Sequence, residues 1–240
     1  MSFILALLAA FVIGLGKSGL KGLGVVIVTL MAYAYGAKAS TGIVLPLLIF
    51  ADIMAVYYYN RHAKWNLLMK FLPWMIAGVV FGAYLGKDLP EDVFKKGMAA
   101  IILISVIIMF AWEHLDKKKI PKGMWFAGST GFTAGFTTMI GNLAGAFSNI
   151  FFLAMRIPKD QFIGTAAWLY FIINIFKLPF HVFSWGTVNM DSLKTDLYLI
   201  PAVVLGFVLG IKLVKYFGEK QYRTFILVMT GVGALVMLVR

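Results

Sequence analysis

The sequence predicts an all-α integral membrane protein built as two inverted structural repeats. Each repeat is expected to be a short broken or re-entrant helical hairpin followed by three transmembrane helices. Three observations predict this. First, 61% of the 240 residues are hydrophobic and only 13% are charged, with a mean hydropathy of +0.89, too apolar to supply the polar shell of a soluble domain. Second, uncharged runs such as 97–112 and 224–239 read as membrane spans. Third, glycine and proline positions recur in the same order in the two halves.

Ten apolar segments can be drawn, at 2–16, 22–36, 40–60, 66–86, 93–113, 123–138, 142–156, 161–185, 195–217 and 221–239. The charged stretch 116–122 divides them five and five, giving a first repeat over 1–115 and a second over 123–240 within a single membrane domain. Gly14 and Gly24 match Gly135 and Gly145, Thr41 matches Thr165, and Pro73, Gly78 and Gly82 match Pro201, Gly206 and Gly210.

The first two segments of each half are about 15 residues long and rise only ~22 Å as helix, short of the ~30 Å hydrocarbon core. Glycines concentrate at their breaks, at Gly14, Gly16, Gly19, Gly22 and Gly24 and again at Gly131, Gly135, Gly141 and Gly145. Re-entrant hairpins, short tilted spans and one long broken helix are all compatible with this pattern.

Charge counting discriminates between them. If each pair returns to its own side or crosses twice, thirteen basic residues gather on one side: Arg61, Lys64, Lys70, Lys117, Lys118, Lys119, Lys122, Arg156, Lys159, Lys212, Lys215, Lys220 and Arg223. Six gather on the other: Lys38, Lys87, Lys95, Lys96, Lys194 and Arg240. A single crossing per pair would spread the same charges almost evenly. The positive-inside rule expects asymmetry, so the expectation is a multi-pass protein of the cell (inner) membrane with both termini outside the cytoplasm. Met1-Ser2-Phe3-Ile4 lacks a basic n-region, so the start is expected to be a retained helix.

The net charge of +12 would suggest nucleic acid in a soluble domain. Here the basic residues crowd the short loops, so nucleic acid is not an expected partner; a small anionic substrate and the lipid bilayer are. There is no cysteine, which excludes disulfides and thiolate chemistry. No phosphate-binding G-x-x-x-x-G-K-[ST] sequence occurs, which argues against an attached ATPase, and no cofactor is implied. The sequence leaves open whether the protein works as a homodimer.

The run 14–24, GLGKSGLKGLG, resembles the Gly-rich opening of the sulfite exporter TauE/SafE family. Ala39-Ser40-Thr41-Gly42 and Ile163-Gly164-Thr165-Ala166 look like the paired starts of that family's next helices, and 72–86, LPWMIAGVVFGAYLG, like the helix closing each repeat's core. The resemblance spans nearly the whole chain and rests on the order and spacing of these motifs. It implies a duplicated membrane protein that moves sulfite, sulfonates such as taurine or sulfoacetate, and related sulfur anions. Lys17 and Lys21 depart from an opening motif that is often richer in consecutive glycines.

Lys17 and Lys21 are the first choice for an anion site. They lie four apart in the Gly-rich break, where one helical turn puts both on one face and glycine lets backbone N–H groups approach a ligand. Ordinary surface lysines would look the same in sequence. In the second half, Thr138 and Asn142 stand where Lys17 and Lys21 stand in the first, as neutral hydrogen-bonding partners that could equally satisfy broken-helix backbone. Ser18, Thr41 and Thr165, which lie in the family-like motifs, complete the expected substrate-binding set with Lys177.

Asp52 and Lys177 are charges inside apolar segments, where charge is costly and faces a cavity or a partner. The repeat brings them within one residue of equivalence, so an Asp52–Lys177 ion pair is expected; alternatively Lys177 binds the anion and Asp52 carries protons. Asn174, Lys177, Pro179 and His181 form a polar interruption, and Asp52, Asn174 and His181 are expected to serve gating or coupling. The leading functional expectation is a secondary transporter, an exporter by preference, of a small sulfur-containing anion by alternating access. An anion channel is the alternative. A membrane-embedded enzyme is a weaker one, because only His62, His114 and His181 could gather into a metal site.

Overall fold

The computed structural model describes residues 2–114, 123–218, 220–222, 224, 225 and 228. Among them the chain is helical apart from short connections, without strands. Nine α-helices follow in order: α1 Ser2–Lys17, α2 Gly24–Tyr35, α3 Ala37–Tyr59, α4 Trp65–Gly86, α5 Glu91–His114, α6 Met124–Gly141, α7 Ala144–Ala154, α8 Lys159–Pro179 and α9 Met190–Lys215. Most of the tenth expected segment, 221–239, lies outside the described residues, as do Lys117, Lys118, Lys119, Lys122, Arg223 and Arg240.

Four helical stretches are long and apolar enough to cross a bilayer: Ala37–His62, Trp65–Gly86, Lys159–Ser184 and Met190–Lys215. Ser2–Lys17, Gly24–Tyr35 and Ala144–Ala154 are apolar but shorter. At 1.5 Å per residue α2 and α7 rise only about 16–18 Å. Large apolar side chains such as Tyr84, Leu205, Leu209 and Leu213 are exposed on α4 and α9, as expected where lipid replaces water around a helix bundle.

Two helix crossings organise the bundle, and glycine makes both. A Cβ on Gly14 of α1 would overlap Val203 O and Phe207 N of α9, and a Cβ on Gly206 would overlap Phe11 O. A Cβ on Gly135 of α6 would overlap Met75 O of α4, and a Cβ on Gly78 would overlap Phe132 O. Small residues let membrane helices approach backbone to backbone, where van der Waals contact is densest. Each crossing joins the first helix of one half to the fourth helix of the other.

Contacts advance together along each pair. Phe11 meets Gly206 and Ser18 meets Gly210; Phe132 meets Gly78 and Met139 meets Gly82. Hence α1 runs parallel to α9, and α6 runs parallel to α4. The stretches α3 and α8 run antiparallel, since Asp52 meets Asn174 while Lys64, just beyond α3, meets Thr165.

The breaks have local causes. Gly19 and Gly22 take φ of +125° and +99°, a backbone region that L side chains resist. Asn142 ends α6 in the left-handed conformation, φ 56°, with its N–H returned to the Thr137 and Thr138 carbonyls, the usual device for stopping a helix when glycine is absent. Two tyrosine hydroxyls close the first break: Tyr59 Oη donates to Ser18 O at 2.7 Å, and Tyr222 Oη donates to Gly19 O at 2.7 Å.

Candidate functional site

Both breaks open onto one cavity enclosing about 90 Å³. Its wall carries Lys17 and Lys21 from the first break, Thr138 and Asn142 from the second, Tyr170 and Asn174 from α8, and aliphatic Ile13, Ile27, Val28, Val44 and Leu48. A water needs about 10–15 Å³ on this scale, so the space takes a small polyatomic ion with a few waters. The offset that carries Gly14 onto Gly135 carries Lys17 onto Thr138, Lys21 onto Asn142 and Gly24 onto Gly145, and all six of these other residues line the cavity. The two breaks thus present equivalent positions to the same space, one with ammonium groups and the other with neutral polar groups.

Lys17 is occupied. Its Nζ lies 2.6 Å from Asp52 Oδ1, with Asp52 fully buried on α3. The expected Asp52–Lys177 pair is therefore corrected: Asp52 pairs with Lys17, whose place at the end of α1 delivers its ammonium to the middle of α3. The other carboxylate oxygen, Asp52 Oδ2, accepts from Asn174 Nδ2 at 2.7 Å.

Lys177 is buried and, among the described residues, meets only neutral oxygens. It donates to Asn142 Oδ1, to Thr138 Oγ1 at 3.3 Å and to Asn174 Oδ1 at 3.4 Å. Asn142 completes a bridge by donating from Nδ2 to Thr41 O at 3.2 Å. The Asn174 carboxamide thereby stands between two opposite charges, its N–H toward Asp52 and its oxygen toward Lys177.

Lys21 has no comparable partner. It is 5% exposed, lines the cavity, and among the described residues its Nζ makes no hydrogen bond or ion pair. Its Nζ stands over the face of Tyr170, 5.3 Å from the ring centroid, and Lys17 Nζ approaches the same ring at 4.7 Å. Tyr170 is fixed from behind by a 2.6 Å hydrogen bond between its hydroxyl and that of Ser148. Three ammonium groups, of Lys17, Lys21 and Lys177, share this region with the single carboxylate of Asp52, and the excess positive charge suits an anion.

The remaining expected site residues are placed off the cavity wall. Ser18 Oγ donates to Leu15 O at 2.8 Å and packs against Gly210 at the α1–α9 crossing. Thr41 Oγ1 donates to Lys38 O at 2.6 Å, so only its carbonyl reaches the site, through Asn142. Thr165 Oγ1 donates to Gln161 O and accepts from Lys64 N at 2.8 Å, which ties the start of α8 to the start of α4. His181 is fully buried. Its Nδ1 pairs with Thr187 Oγ1 at 2.8 Å and its ring meets Trp185 edge-on. It sits in the π-turn Phe180–Ser184 that follows Pro179.

Two cavity residues escape sequence reading, Tyr170 and Asn149. Tyr170 sits in an aromatic-rich helix where nothing sets it apart. Asn149 did carry a signal: it is a mid-helix asparagine in an apolar segment, at the position equivalent to Val28.

The family model for Sulfite exporter TauE/SafE matches residues 3–237 of the chain. No curated protein and no solved structure matches it.

Proposed function

Because the chain belongs to the sulfite exporter TauE/SafE family, a family of membrane transporters of sulfite and related anions rather than of enzymes, we propose that it is a secondary transporter exporting a small sulfur-containing anion by alternating access. The observation that carries this reading is Lys21, an ammonium held in a cavity wall without an acceptor among the described residues. A buried cation in that position is costly until an anion supplies the missing charge. A sulfite or sulfonate head, with three acceptor oxygens, accepts from Lys21 and from the Asn142 side of the cavity at once. The aliphatic wall at Ile27, Val28, Val44 and Leu48 takes the short carbon body of an organosulfonate.

We read the two halves, 1–115 and 123–240, as inverted repeats. Supporting this, α1 follows α9 while α6 follows α4, and α9 and α4 run in opposite directions, α9 starting beside the Trp185 that packs on the end of α4. Inverted repeats supply two equivalent end states, each closing one side of a shared cavity. Export of an anion needs no coupling ion, because an interior-negative membrane already drives it outwards. In this reading the protein lies in the cell membrane with both termini outside the cytoplasm.

The deciding experiment measures sulfite and sulfonate affinity on folded, monodisperse protein. Lys21→Met keeps much of the stem and removes the charge, and should weaken binding by about 1.5–3 kcal/mol, ten- to a hundredfold. Unchanged affinity would move the anion away from the Gly-rich breaks. Saturable counterflow in liposomes would support a carrier, and unitary current would replace it with a channel.

A further inference from the structure

The same offset that pairs Lys21 with Asn142 pairs Val28 of α2 with Asn149 of α7, and both line the cavity. One half therefore turns an aliphatic side chain to this space where the other turns a carboxamide. Asn149 is 1% exposed, and its Oδ1 has no hydrogen-bond partner among the described residues. Buried amide oxygens are nearly always paired, and an orphan is expensive. No local need of α7 accounts for it. Asparagine is a modest helix former in mid-helix, and the helix already has Ser148 to tie it to Ala144 O and to Tyr170.

We propose that Asn149 is a ligand contact of the transport cavity and that it selects oxyanions over single-atom anions; this rests on the reading of the cavity as an anion site. A carboxamide offers an N–H on one side and an oxygen on the other, and rotation of its terminal torsion exchanges them. An oxyanion head spreads its oxygens, so one oxygen accepts from Lys21 while a second accepts from the Asn149 amide. The Asn149 oxygen then takes a water or the O–H of a protonated oxyanion. A halide is one sphere. It has no second oxygen to offer the amide while it sits on Lys21, so it gains less from Asn149.

The test compares sulfite with bromide on the purified full-length chain, bromide being scored by its displacement of bound sulfite. In Asn149→Leu, which keeps the branching of asparagine with bulkier methyl ends, sulfite affinity should fall about tenfold while bromide affinity stays, so the sulfite-to-bromide ratio falls by the same factor. Asn149→Ala should give the same change in ratio, and serves if the leucine variant fails to fold. A ratio equal to wild type in whichever variant folds, with affinities unchanged or lowered together, would overturn the proposal. Lys21→Met separates the two readings. If it loses sulfite while the Asn149 variants keep their ratio, only the role of Asn149 fails. If wild-type protein binds neither anion, the anion site and the role of Asn149 fall together.

Discussion

Lys17 and Asp52 form a 2.6 Å ion pair that joins the end of α1 to the middle of α3. Because Asp52 is fully buried, removing Lys17 strands a carboxylate in a medium that solvates it poorly. Loss of one member of a buried pair costs about 3–5 kcal/mol. We expect Lys17→Met and Asp52→Asn each to lower the thermal midpoint sharply in detergent, and the double variant to lose less than the sum. Additive losses would mean that the two charges act independently.

Asn174 should behave as a linker between the two charged groups. Its amide satisfies Asp52 Oδ2 and faces Lys177. Asn174→Leu keeps the branched shape but leaves both without this partner, at about 1–3 kcal/mol for a buried unsatisfied group. Denaturation of purified protein is the measurement, and wild-type stability in this variant would remove Asn174 from the network.

The glycine crossings predict a sharp contrast among glycine substitutions. Gly14→Ala and Gly135→Ala place a Cβ on a backbone carbonyl of the facing helix, where no side chain can swing aside. Overpacking of this kind costs about 1–3 kcal/mol. At Gly97 of α5 a Cβ meets nothing within 4 Å, so Gly97→Ala should be neutral or stabilise by about 0.4–1 kcal/mol. Equal effects at all three positions would show that the helices do not approach as described.

Topology can be read without background labelling, because the chain has no cysteine. Single cysteines at Arg61 and Arg156 should react with an impermeant thiol reagent from one side of the membrane, and cysteines at Lys95 and Lys194 from the other. Labelling of the Arg156 and Lys95 positions from the same side would end the inverted arrangement.

Residue type and spacing carried much of this organisation. Hydropathy gave a helical membrane protein, and the matched glycines foretold positions that prove to sit at helix crossings, Gly14 with Gly206 and Gly135 with Gly78. The two breaks, separated by more than a hundred residues, do share a cavity. The partner of Asp52 was misassigned, because repeat equivalence says which positions are related and not which side chains reach each other. Lys17 reaches Asp52 only through the crossing of α1 over α3, a tertiary fact with no local signature. The hydroxyls of Thr41 and Thr165 were equally ambiguous. Threonine beside a helix start reads as a ligand group or as a backbone tie, and in both places it bonds the backbone of its own turn. Tyr170 was hidden because an aromatic residue in an apolar helix is the commonest sight in a membrane sequence.

The packing of α1 on α9, and of Gly19 on Tyr222, has a consequence for how the protein is made. Gly19 O waits for a hydroxyl 203 residues downstream. At about 5–20 residues per second a ribosome needs roughly ten to forty seconds to deliver it. Through that interval the first hairpin sits in the bilayer without the surface its glycines were shaped for. The nascent first half is therefore a half-packed insertion intermediate until α9 and Tyr222 have been made.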